Sequence, residues 1–219
     1  MEQPSGLVRP QSRATASGHV FHKVVQLNLI LASTSPIRRQ MLEAAGVRFD
    51  AIGPEVDEDA VKTRLRDAPE IAGELAQAKA LSVSSSCAGE WVIGSDSVVS
   101  CGGRLFDKPR DRADAADHLR FFAGKPMLLT SGVALARGSA IDWLHVETAS
   151  LQVRDYSDAF IETYLDAEWP EVGYTVGVFR LEGRGVQLFE RIDGDHFTIL
   201  GMPLLPLLGA LRERGMLPT

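Results

Sequence analysis

The passage Leu29-Ile30-Leu31-Ala32-Ser33-Thr34-Ser35-Pro36-Ile37-Arg38-Arg39 constrains the fold of this chain more than any other. An apolar run stops at a cluster of hydroxyls, and a proline and two arginines follow before an amphipathic pattern begins. That order reads as a buried strand feeding a helix, with Ser35 as N-cap and Pro36 at the first helical position. A strand and helix joined this closely bury their apolar faces best in a layered α/β architecture. The helix start also gathers donors. Free backbone N–H groups, the serine hydroxyls and the Arg38 guanidinium converge there, and a phosphate is the natural occupant.

Strands and helices alternate along the rest of the chain. Residues 24–32 read as the first strand, and Met41, Leu42 and Ala45 give the following helix an apolar face that Gly46 closes. Residues 47–52 form a second strand, ended by Pro54, and Glu55-Val56-Asp57-Glu58 follows as an acidic loop. An Ala-rich helix spans 68–84, with Pro69 at its start. A short strand over 91–94 ends at Ser95-Asp96-Ser97. Helices are expected over 111–122, 157–165 and 204–214, and strands over 127–136, 144–154, 185–192 and 198–200. No internal repeat or long linker interrupts the pattern.

With 219 residues the chain can build one large domain or two small ones sharing a cleft. Residues 1–18 are polar, carry Arg9 and Arg13 and lack an apolar core, so they are neither signal peptide nor anchor. A disordered extension is expected over 1–23, with a single folded domain over 24–219. The longest apolar stretch, around 198–211, is broken by Pro203 and Pro206 and falls short of the ~20 residues of a membrane span. A net charge of −6 disfavours nucleic acid, whose phosphates call for clustered Lys and Arg, but not a small anion in a local basic pocket. Cys87 and Cys101 show no metal or redox spacing, which suits a reducing, cytoplasmic setting.

Four clusters carry candidate chemistry, each expected where a strand meets a loop. Ser33, Ser35 and Arg38 form the phosphate-like pocket; capping explains one serine but not the pair with the arginine. Glu55 to Glu58 reads as a solvated loop unless a divalent cation needs oxygen ligands. Asp96, flanked by small residues, can orient a water, take its proton or bind a metal, and an Asx-turn explains it equally well. Phe106-Asp107-Lys108-Pro109, with Lys79 as a second lysine on the Ala-rich helix, forms the fourth, and the two lysines with an arginine offset the charge of a triphosphate.

In order along the chain, Ala32 to Arg39, Pro54-Glu55-Val56-Asp57-Glu58, Lys79-Ala80, Gly94-Ser95-Asp96-Ser97-Val98-Val99, Lys108-Pro109 and Gly201-Met202-Pro203-Leu204 resemble the motifs of the Maf (septum-formation-inhibitor-like) nucleotide pyrophosphatases. The resemblance runs from about residue 29 to 214. It implies an α/β fold with an elongated mixed sheet, flanking helices and a central cleft between two lobes. It implies hydrolysis of nucleoside triphosphates between the α and β phosphates, a divalent cation (Mg²⁺ or Mn²⁺), and it suggests a homodimer. Carried over by position, Asp96 accepts the proton of the attacking water. Ser33, Ser35, Arg38, Lys79 and Lys108 bind phosphates, and Glu58 with Asp96 holds the metal.

Base choice within the family is associated with positions that fall here on Ile37, Ser97 and Glu182. The stretch 181–191 looks like the branch acting on 7-methyl-GTP, which has an aromatic residue in place of Ile37 and a glutamine in place of Ser97. The branch acting on dTTP and UTP usually has Thr and Gln at the last two positions. Phe122-Ala123-Gly124-Lys125-Pro126 lacks a histidine usual in the family. House-cleaning of modified or non-standard nucleotides is the expected role. The alternatives are a dedicated 7-methyl-GTP pyrophosphatase and a non-catalytic nucleotide sensor that restrains cell division.

Overall fold

The computed structural model describes residue 1, residues 28–87 and residues 89–218. The extension expected over 1–23, Met1 apart, and the start of the first expected strand lie outside them. Seven strands form one mixed sheet in the order β2-β1-β3-β5-β6-β7, with β4 paired to β3 alone. β1 (Leu29–Ala32) is buried along its whole length and runs parallel to β2 (Asp50–Ile52) and β3 (Trp91–Cys101). A central parallel strand with both faces covered needs just such an uninterrupted apolar run. β4 (Arg104–Phe106), β5 (Pro126–Arg137), β6 (Ala140–Val153) and β7 (Phe189–Asp193) continue the sheet in antiparallel pairs.

One face of the sheet carries α3 (Ala68–Ser84), seated almost against the backbone. A Cβ on Gly94 would lie 2.2 Å from the Ala76 carbonyl oxygen and 2.4 Å from the Ala80 nitrogen. Only glycine permits that approach, and Ala76, Ala80, Ala134 and Ala136 fill the thin layer between helix and sheet. The other face is covered in two places. α1 (Pro36–Ala44) and α7 (Leu204–Glu213) pack over Leu31, Ile93 and Leu135. α4 (Arg112–Phe122) and α5 (Asp158–Glu168) pack over Val99, Leu129 and Leu151.

Between those two apolar clusters β3 and β5 carry hydroxyls, Ser95, Ser97 and Ser131, all on that same face. At this level the sheet also has a gap. β1 pairs with Trp91 to Gly94 and β4 with Val99 to Cys101, so Ser95 to Val98 have no neighbouring strand on that side. Side chains from both faces can therefore meet at one place.

Several expectations need correction. The strand expected over 91–94 runs on to Cys101, so Asp96 lies inside a strand; full antiparallel pairing to β5 outweighs the weak strand propensity of Ser and Asp. The acidic loop ends in α2 (Glu58–Arg64), capped by Asp57, whose side chain accepts from Ala60 N at 3.0 Å. Residues 198–200 belong to α6 (His196–Leu200), capped by Asp195 onto Thr198 N at 2.9 Å. The strand over 185–192 is a 3-10 helix at Arg184–Leu188 followed by β7. Glu58 and Asp96 thus do not lie where a strand meets a loop. Cys87 and Cys101 are free thiols, the latter buried.

Candidate active site

The strand-to-helix passage folds as its residues dictate. Ser33 is buried and its Oγ accepts from Ser35 N at 3.1 Å, while Ser35 Oγ, at the N-cap of α1, accepts a long bond from Arg38 N at 3.5 Å. Both hydroxyls keep their own protons to donate. Arg38 reaches across the gap: its Nε donates to the Gly201 carbonyl at 2.8 Å and its Nη2 to Ser97 Oγ at 3.0 Å. Ser97 Oγ lies 2.8 Å from Ser131 Oγ, which donates to the Thr198 carbonyl at 2.8 Å. Gly201 ends α6 with φ 108°, a left-handed cap that turns its carbonyl toward Arg38. Burial pulls the Arg38 pKa below its ordinary value, and the charges of Asp96 and Glu58 act against that fall.

The second half of the site comes from the opposite face. Because α3 lies so close to the sheet, the buried Lys79 puts its Nζ 2.6 Å from Asp96 Oδ1 and 2.7 Å from Glu58 Oε1. Burial would raise the Glu58 pKa, but the Lys79 hydrogen bond and the charges of Lys79, Lys62 and Lys108 outweigh it and hold the carboxyl below its usual range. Lys108 is exposed on the loop after β4, where its charge still bears on Glu58.

Sequence reasoning missed Lys62 and gave Asp107, quoted within the fourth cluster, no role of its own. Lys62 Nζ sits 2.6 Å from Asp107 Oδ1 and 3.7 Å from Glu58 Oε2. The signal was present: Glu58 and Lys62 stand one helical turn apart, behind an Asp57 cap and acidic residues in the first turn.

The three positions expected to bear on base choice separate. Ile37 and Glu182 line one cavity of about 390 Å³ with Met41, Phe197, Leu200 and Leu204. Ser97 instead belongs to the Arg38 network. Lys125, where the family's histidine is missing, places its ammonium 4.5 Å from the centre of the Phe121 ring and bonds the Phe121 carbonyl.

The carboxylates of Glu58 and Asp96 converge on one ammonium group, and their oxygen donors are of the kind that a hard divalent cation takes. No group of three or more His, Cys, Asp or Glu forms a cation cage among the described residues. The arrangement can hold a polyphosphate between Arg38 and the lysines, beside a carboxylate able to take a proton.

The Maf-like protein family model matches residues 28–214, nearly all of the described chain. The chain belongs to the Maf family. A 7-methyl-GTP pyrophosphatase from Rhizobium etli is 49% identical over 191 residues, covering 85% of this chain and 96% of that protein. A nucleoside triphosphate pyrophosphatase from Nitrobacter winogradskyi is 46% identical over 191 residues, covering 86% and 95%. Among solved structures, a HAM1 protein from Coxiella burnetii aligns with a TM-score of 0.40 and 14% identity, over 58% of this chain and 73% of that one. Within this Maf chain no helix among the described residues is long and apolar enough to cross a membrane.

Proposed function

We propose that this Maf protein hydrolyses nucleoside triphosphates to the monophosphate and pyrophosphate, with Asp96 as proton acceptor. The observation that carries this reading is a buried carboxylate bonded to Lys79 at 2.6 Å, inside a gap that also holds Arg38 and Glu58. The water oxygen attacks the α-phosphorus and its proton passes to Asp96. The bond from the α-phosphorus to the bridging oxygen breaks, and pyrophosphate leaves with that electron pair. Arg38 and Lys79, with Lys108 at the rim, stabilise charge that grows on the non-bridging and leaving oxygens. Ser33 and Ser35 donate their hydroxyls to phosphate, and the Ser97–Ser131 chain fixes the Arg38 guanidinium before substrate arrives. Glu58 and Asp96 would hold Mg²⁺ or Mn²⁺, which supplies neutralisation of phosphate charge.

The cavity shared by Ile37 and Glu182 is lined by the residues that directly precede Arg38 and Gly201 in the chain. We place the base there. A carboxylate beside an apolar pocket favours a second reading, a preference for 7-methyl-GTP, whose alkylated purine is cationic. Ile37 packs against a base without the cation–π attraction an aromatic ring would add. The family resemblance supports a cytoplasmic enzyme and a homodimer; sedimentation velocity reads the latter.

Pyrophosphate release from 7-methyl-GTP, dTTP, UTP, CTP, GTP and ITP, with magnesium or manganese, tests both readings. Release from at least one substrate is expected, and 7-methyl-GTP leading the ranking supports the second reading. No release from any, with nucleotide still bound, would promote the sensor instead.

A further inference from the structure

Charges of alternating sign lead away from the gap in the sheet in a defined order: Asp96, Lys79, Glu58, Lys62, Asp107. Their successive separations are 2.6, 2.7, 3.7 and 2.6 Å. The charges of Asp96 and Glu58 bear on Arg38, beside which we place the base, and Lys62 lies beyond Glu58. A triphosphate whose base occupies the cavity and whose α-phosphorus faces Asp96 therefore extends its β and γ phosphates toward Lys62. Lys62 stands on α2 and its partner Asp107 on the loop that also carries Lys108, so the pair spans two elements that frame the same opening. The Lys62 side chain is 27% exposed and Asp107 70%, so this is not a sealed structural ion pair. An exposed carboxylate is a weak anchor for an ammonium, and a polyanion competes with it readily.

We infer that Lys62 is a further phosphate-binding residue, held on Asp107 in the free protein and transferred to the terminal phosphates of the bound triphosphate. The inference rests on the pyrophosphatase reading for the direction in which the substrate lies. Lys62 Nζ stands 2.6 Å from Asp107 Oδ1 and 3.7 Å from Glu58 Oε2, an ammonium group held between two carboxylates. Asp107 then acts as a competitor, and its removal strengthens phosphate binding. A mere strap between α2 and the loop predicts the reverse, because loss of either partner would loosen the same opening.

Titration calorimetry with pyrophosphate and, separately, with guanosine and uridine monophosphates, in the presence of magnesium, tests this without requiring turnover. Lys62→Ala is expected to weaken pyrophosphate binding roughly tenfold and leave the tighter monophosphate within about twofold. Lys62→Arg should recover most of the loss. Asp107→Asn should tighten pyrophosphate binding about two- to fivefold. Unchanged pyrophosphate affinity in Lys62→Ala, equal loss of both ligands, or weakening by Asp107→Asn would each overturn the assignment. Pyrophosphate release by the unaltered protein is measured alongside; if it is absent while the binding pattern holds, the hydrolase reading fails and Lys62 remains a phosphate ligand.

Discussion

Asp96 and Lys79 show how much of this site resides in pairs rather than in single residues. A carboxylate inside a strand is costly unless a cation meets it, and Lys79 does so at 2.6 Å. Asp96→Asn keeps the shape and removes the proposed proton acceptor, so kcat should fall on the order of a hundredfold or more while the urea unfolding transition stays cooperative. Lys79→Met should cost more than activity, because it leaves Asp96 and Glu58 facing each other without their shared ammonium; a destabilisation of about 3 kcal/mol is expected in the same unfolding experiment. At this scale the sequence was informative where a residue type announces itself beside small or apolar neighbours, as Asp96 and Arg38 do. The pairing of Lys62 with Asp107 was not visible because it spans 45 positions and exists only once α2 and the β4 loop fold against each other; the sequence offered only the Glu58–Lys62 helical spacing.

The elements place those pairs, and α3 on β3 is the decisive contact. Adding one methyl at Gly94 would drive a Cβ into the backbone of Ala76 and Ala80, which a side-chain rotation cannot relieve. Gly94→Ala should therefore destabilise the fold by about 3 kcal/mol and, by lifting α3, draw Lys79 away from Asp96. Thermal unfolding checks the first effect and pyrophosphate release the second. The hydrophobic periodicity made α1, α3, α4, α5, α7 and the main strands legible. It failed where polar side chains are satisfied by distant partners. Ser95, Asp96 and Ser97 read as a loop, yet they hold β3 together with Gly132, Lys79, Ser131 and Gly201. α6 was missed because five residues give too short a window for a 3.6-residue period, although Asp195 three residues before Thr198 is a capping signal.

For the whole molecule, a chain of net charge −6 gathers Arg38, Lys62, Lys79 and Lys108 around one gap in its sheet, so its global charge is a poor guide to its ligand. The same gathering sets the acid response. The lysines depress the folded-state pKa of Glu58 below 4.5, so its contribution to stability is fully present above the unfolded value and is lost as the pH falls through the folded one. Urea midpoints from about pH 7 to pH 3 should show a stability gap between the native chain and Glu58→Gln that is constant at neutral pH and closes toward acid. The central claim is attack on the α-phosphorus, and hydrolysis in ¹⁸O-water reads it directly by mass spectrometry. One labelled oxygen in the nucleoside monophosphate and none in the pyrophosphate is the predicted result. Label in the pyrophosphate, or release of orthophosphate in its place, would contradict it.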